Sequence, residues 1–124
     1  MRPLFLALTL SATVLTACST PASAPALASQ DRLTGPNGMT LYTFDRDVAH
    51  SGKSVCNGPC ATNWPPLLAQ ESDQARSGYT VITRDDGRKQ WAYQGKPLYF
   101  WIKDAQPGDI TGNGVNNLWR TARP

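Results

Sequence analysis

A ten-residue pattern occurs twice in this chain, and it constrains the fold more than any other feature. Gly38-Met39-Thr40-Leu41-Tyr42-Thr43-Phe44-Asp45-Arg46-Asp47 and Gly95-Lys96-Pro97-Leu98-Tyr99-Phe100-Trp101-Ile102-Lys103-Asp104 both read G-x-x-L-Y-x-[F/W]-x-x-D. An echo follows each copy: Asn57-Gly58 precedes Trp64, and Asn113-Gly114 precedes Trp119. Two copies are too few for a solenoid, whose units need several neighbours to bury a continuous core. The expectation is a pair of related halves sharing one core.

The rest of the pattern is that of strands. Residues 39–44 predict a strand with Tyr42 and Phe44 on one face and Leu41 and Thr43 on the other, because successive side chains alternate. Residues 79–84 alternate and are β-branched, Asp85-Asp86-Gly87 signals a hairpin turn, and residues 89–94 return. Gly95-Lys96 turns again into residues 97–102, giving a three-stranded antiparallel meander. That last strand is apolar on both faces and is expected inside the sheet, with Pro97 opening it because proline lacks the ladder donor. Residues 118–120 predict a final short strand. Proline at its start permits one helical turn over residues 59–64 before Pro65-Pro66 stops it. The fold class expected is mainly β, a small antiparallel-sheet domain with at most that one helix.

The N-terminus predicts export. Arg2 precedes a short apolar run from Leu4 to Leu15, too short to span a bilayer, and then Leu15-Thr16-Ala17-Cys18. Small residues before a cysteine are what a lipoprotein signal peptidase requires. Residues 1–17 are therefore read as a signal peptide and Cys18 as the lipidated residue. Residues 18–30, rich in Ala, Ser and Pro and uncharged, cannot build a core and are read as a tether. They reach about 35–40 Å at full extension. The domain is expected over residues 31–124. The predicted location is the bacterial cell envelope, lipid-anchored, and the outer membrane facing the periplasm in a Gram-negative host. The formal charge is +3, and Arg88-Lys89 is the longest basic run. A nucleic-acid partner is excluded on that basis, a membrane contact through the lipid is expected, and the protein is expected to act as a monomer.

With Cys18 assigned to lipid, Cys56 and Cys60 remain. In an exported chain they read as a disulfide; one helical turn brings their Cα atoms to about 6 Å. The alternative is a copper or thiol-redox site built from Cys56, Cys60 and His50, with Met39 as a soft ligand. The spacing resembles that of copper chaperones of the cytochrome-oxidase assembly type, but the βαβ pattern of their fold is missing. In the second copy Gly112 and Asn116 stand where the first has Cys56 and Cys60, so the half is expected to fold without them.

The recurring residues have two readings each. Tyr42, Phe44, Tyr99 and Trp101, with Trp64, Trp91, Tyr93 and Trp119, either fill a shared core or line a groove that stacks on sugars. Asp47 and Asp104 either accept backbone N–H groups in equivalent loops or act as a cation or acid/base pair. The core and loop readings are favoured, since a domain this small needs bulky rings to fill it and a calcium site needs six or more oxygens. No nucleophile–base set or phosphate loop is present, so no catalytic residue and no cofactor is assigned.

Together Tyr42-Thr43-Phe44-Asp45-Arg46-Asp47, Tyr99-Phe100-Trp101-Ile102-Lys103-Asp104, Cys56-Asn57-Gly58-Pro59-Cys60-Ala61, Trp64-Pro65-Pro66-Leu67, Asp86-Gly87, Gln90-Trp91 and Pro97-Leu98-Tyr99 resemble the bacterial secreted-repeat lipoproteins, a family with no established function. The resemblance runs from about Gly38 to Trp119 and brings no catalytic residues with it. The expectation is a non-catalytic binding or structural module of the envelope. The copper or redox accessory and the saccharide binder stand as alternatives.

Overall fold

The computed structural model describes residues 3–4, 7–13 and 24–124. Cys18 lies outside the described residues. Among the described residues seven strands make three small antiparallel sheets: β1 (Leu27–Ser29) with β2 (Arg32–Thr34), β3 (Tyr42–Phe44) with β7 (Trp119–Thr121), and the meander β4 (Tyr79–Thr83), β5 (Lys89–Tyr93), β6 (Lys96–Pro97). One helical turn, α1 (Pro59–Asn63), carries Pro59 at its start, and a 3-10 turn spans Val115–Asn117. Among the described residues no helix is long and apolar enough to cross a membrane.

Backbone hydrogen bonds relate the halves by an approximate twofold axis. Tyr42 and Tyr99 exchange both, N to O at 2.8 Å and 3.0 Å, across that axis. On its far side Tyr42 pairs with Thr121, and on its far side Tyr99 pairs with Pro66. Further out, Leu33 N donates to Ala122 O and Ala122 N to Leu41 O, while Trp91 N donates to Leu67 O and Leu67 N to Leu98 O. The repeat is therefore larger than its sequence signature. Each half is a hairpin (β1–β2 or β4–β5), a tyrosine segment, an aspartate loop and a tryptophan segment.

This geometry corrects three expectations. Residues 27–29 are not tether: they form β1, paired Leu27 to Thr34 through Ser29 to Arg32, and Ala26 is buried. The hairpin turn there uses Gln30 and Asp31 at φ 50° and 62°, the left-handed pair that a two-residue turn requires. The predicted strand over residues 39–44 shortens to β3, because Met39 closes a turn: Gly35 N donates to Met39 O, and Met39 N donates to Asn37 Oδ1. The strand expected through residue 102 is replaced by the two-residue β6 and single-residue pairings of Tyr99. Tyr99 does lie between two neighbours. Trp101 then leaves the sheet to stack on Trp64, and Ile102 is exposed.

The core has two parts. Leu33, Leu41, Leu67, Leu98, Trp91 and Tyr79 form one cluster, beneath the hairpins. Tyr42, Phe44, Cys56, Trp64, Tyr99 and Trp119 form the other, around the axis.

Candidate functional site: crossed tyrosines and a ring stack

The two tyrosines on the axis reach across it. Tyr42 Oη donates to Asp104 Oδ2 at 2.6 Å, and Tyr99 Oη donates to Asp47 Oδ2 at 2.5 Å. Each repeat's tyrosine thus serves the other repeat's aspartate, and both rings are fully buried. The second carboxylate oxygen of each aspartate accepts from its own loop: Val55 N at 2.8 Å for Asp47, and Thr111 N at 3.0 Å and Thr111 Oγ1 at 2.6 Å for Asp104. Val55 and Thr111 precede Cys56 and Gly112, so these are equivalent turns with equivalent acceptors. The loop reading of Asp47 and Asp104 describes half of what they do; the other half is the link between repeats.

Around Tyr99 the network continues. Its one hydroxyl proton goes to Asp47, so in the 2.7 Å contact with Ser54 Oγ the serine is the donor. Ser54 in turn accepts from Arg84 Nη1 at 3.0 Å and from Cys56 N at 3.2 Å. Arg84, only 2% exposed, also donates to Gln90 Oε1 and to Cys56 O, and its Nε is buried without an acceptor among the described residues. The buried guanidinium therefore faces the Asp47 carboxylate through two hydroxyls. Lys96 Nζ donates to Phe44 O and Asp47 O, each at 2.8 Å, and adds positive charge on the other side. Around Tyr42 a single backbone donor, Gly112 N at 3.2 Å, replaces the Ser54–Arg84 arm.

Burial dominates the electrostatics. It raises the Asp47 carboxyl above its ordinary range, against the opposing pull of the Tyr99 hydroxyl, Val55 N–H, Lys96 and Arg84. Burial and the partner carboxylate push both tyrosine hydroxyls far above 10: the Asp104 hydrogen bond for Tyr42, the Asp47 charge for Tyr99. Both phenols stay protonated near neutral pH and act as donors to the two carboxylates.

The rings stack across the same axis, in the order Phe44, Trp119, Trp64, Trp101. Their centroids lie 4.3 Å, 3.7 Å and 3.9 Å apart and the central pair is nearly parallel at 3°. Tyr42 stands edge-on to Trp64, and Tyr99 edge-on to Trp119. The second-half rings are interleaved with those of the first half. The shared-core reading describes Phe44, Trp64, Trp91 and Trp119, which are buried, while Trp101 and Tyr93 are half-buried. The exposed row of tryptophans that a sugar platform needs is not formed among them.

Cys56 and Cys60 are joined, with Cα atoms 5.2 Å apart. His50 is not drawn to them. It sits at φ 63°, its N donates to Gly95 O at 3.0 Å, and its ring packs where a Gly95 Cβ would be. Among the described residues no three His, Cys, Asp or Glu side chains are grouped to hold a metal. A copper site would require opening the disulfide and moving His50 away from Gly95.

Sequence reasoning missed Ser54, Gln90, Lys96, Thr111 and above all Arg84. An arginine that ends a strand before Asp85-Asp86-Gly87 looks like a solvated one, and only the burial of β5 beside it reveals otherwise.

A family model described as a secreted repeat of unknown function matches residues 31–68 and again residues 80–123. The two matches coincide with the two halves related by the axis. Neither a curated protein nor a solved structure matches the chain. The chain belongs to the family of secreted repeats of unknown function.

Proposed function

We propose that the protein is a non-catalytic, lipid-anchored module of the bacterial cell envelope, acting as a monomeric binding or structural domain. One observation carries the non-catalytic part: the residues that recur, Tyr42, Asp47, Tyr99 and Asp104, spend their polar atoms on one another and on adjacent loops. The disulfide suits an oxidising compartment, and secretion is what the family's description names. The lipobox ending at Cys18 supports the anchor. With β1 starting at Leu27, residues 18–26 would hold the domain at most about 28 Å from the lipid at full extension, closer than a tether running to residue 30. A bilayer host with two membranes would carry it on the periplasmic face of the outer one.

Metabolic labelling with a fatty acid tests the anchor. The wild-type protein should take up label and fractionate with membranes, and Cys18→Ala should lose the label and accumulate as a larger precursor. Equal labelling of the variant would remove Cys18 from this role.

A further inference from the structure

We infer that the groove on the twofold axis is a binding site for a small organic anion with a flat apolar body. The inference deepens the reading of the protein as a binding module and rests on it.

The groove has a volume of about 520 Å³, within the usual span of small-molecule sites. The stacked pair Trp64 and Trp119, equivalent residues of the two halves, lines it, and because Phe44 and Trp101 cover the outer faces of the pair, the two indoles present ring edges. Two pairs of equivalent positions that differ in type also line it, Cys60 with Asn116 and Asn63 with Leu118. Some of the departures from internal symmetry, among them the Cys60 end of the disulfide, thus lie along this cleft. Aromatic rings are electropositive at their edges, so a lining of ring edges favours an electron-rich ligand.

Arg46 supplies the charge. It lines the groove, it is exposed, and it makes no ion pair or hydrogen bond with a described residue. Its counterpart in the second half, Lys103, is occupied over the Trp101 ring at 5.8 Å. Arg46 stands on a fixed base: Asp47 N donates to Phe44 O, Lys96 Nζ donates to Phe44 O and to Asp47 O, Asp45 N donates to Leu118 O, and the Asp45 carboxylate pairs with Arg120 at 3.2 Å. Among the described residues no acidic side chain lines the groove. A guanidinium on a rigid turn beside an apolar lining, with two side-chain amides at hand, is complementary to a carboxylate or sulfonate on an aromatic body.

The test uses the exported, lipid-bearing protein in neutral phosphatidylcholine nanodiscs, with empty discs as the reference. Naphthalene-2-sulfonate is titrated, and binding is followed by calorimetry and by tryptophan fluorescence. Saturation at one equivalent is expected. Arg46→Gln should weaken it at least about tenfold, the effect of one charge-assisted hydrogen bond. Val55→Trp, which fills the groove from an exposed wall position, should abolish it while leaving the thermal midpoint unchanged. Equal affinity for naphthylmethylammonium, an unchanged affinity in Arg46→Gln, or no saturable binding at all would overturn the site. Those failures would leave the anchoring result standing, because fatty-acid labelling of Cys18 does not depend on the groove.

Discussion

Replacing Tyr99 by phenylalanine should be among the most damaging single-atom deletions in this domain. The ring stays, with its edge contact to Trp119 at 5.2 Å, so little packing is lost. What goes is one oxygen that donates to Asp47 and accepts from Ser54. A hydrogen bond to a charged group contributes about 1.5–3 kcal/mol, and a neutral one about 1 kcal/mol. Asp47 is only 2% exposed, so water cannot easily replace the lost donor. The expected destabilisation is about 3 kcal/mol at neutral pH, or roughly 10–20 °C in melting temperature for a domain of this size. The pH dependence gives a second handle. Burial already raises the Asp47 carboxyl, and the Tyr99 hydroxyl is the leading influence holding it down; its loss should raise that carboxyl further. A carboxyl whose folded pKa exceeds its unfolded value contributes most below the unfolded value, and that contribution fades as pH rises through the folded one. The penalty of Tyr99→Phe should therefore shrink as the solution is acidified toward about pH 4, where the variant no longer buries a charge. Urea unfolding followed by tryptophan fluorescence at both pH values measures it. A loss below about 0.5 kcal/mol at neutral pH, or a penalty that grows on acidification, would refute the reasoning.

Three further expectations follow from the same geometry. Alkaline solution should unfold the domain: the Tyr42 and Tyr99 hydroxyls are raised by burial, so the stability they contribute is intact below about pH 10 and lost above it. Tyrosinate absorbance should then rise together with loss of the native tryptophan signal, and a smooth titration of all tyrosines in a folded protein would contradict this. Gly112→Ala should cost about 1–3 kcal/mol, since its Cβ would lie 2.8 Å from Trp64 Cη2 and 2.9 Å from the Tyr42 ring; a thermal melt equal to wild type would show that the stack yields easily. Cys56→Ser/Cys60→Ser should still fold, losing about 2 kcal/mol by the chain-entropy model, because the Gly112 turn forms without a bridge; failure to fold under oxidising conditions would show the bridge to be essential.

The two halves, the meander and the α1 turn were legible because each rests on local signals: a constant offset, a hairpin dipeptide, a proline at a helix start. The crossing was not. A tyrosine five residues before an aspartate fits pairing within a repeat as well as pairing between repeats, and only the Tyr42–Tyr99 backbone exchange on the axis decides. The first hairpin was hidden for a different reason. Its turn is Gln30-Asp31, which carries no glycine or asparagine to mark a left-handed pair, and its outer strand is exposed along its whole length. Trp101 read as a strand residue because its neighbours are apolar. Its departure from the sheet depends on Trp64, which is far away in sequence. Arg84 could be placed at the end of β4, but its burial is a property of the assembled network.

The crossed pairing is the central claim, and a set of double-mutant cycles tests it most directly. Tyr→Phe at residues 42 and 99 is combined with Asp→Asn at residues 47 and 104, and unfolding free energies are measured for every single and double variant. The account predicts coupling above about 1 kcal/mol for Tyr42 with Asp104 and for Tyr99 with Asp47, and additivity within about 0.5 kcal/mol for Tyr42 with Asp47 and Tyr99 with Asp104. Strong coupling along each repeat, with additivity across them, would contradict it.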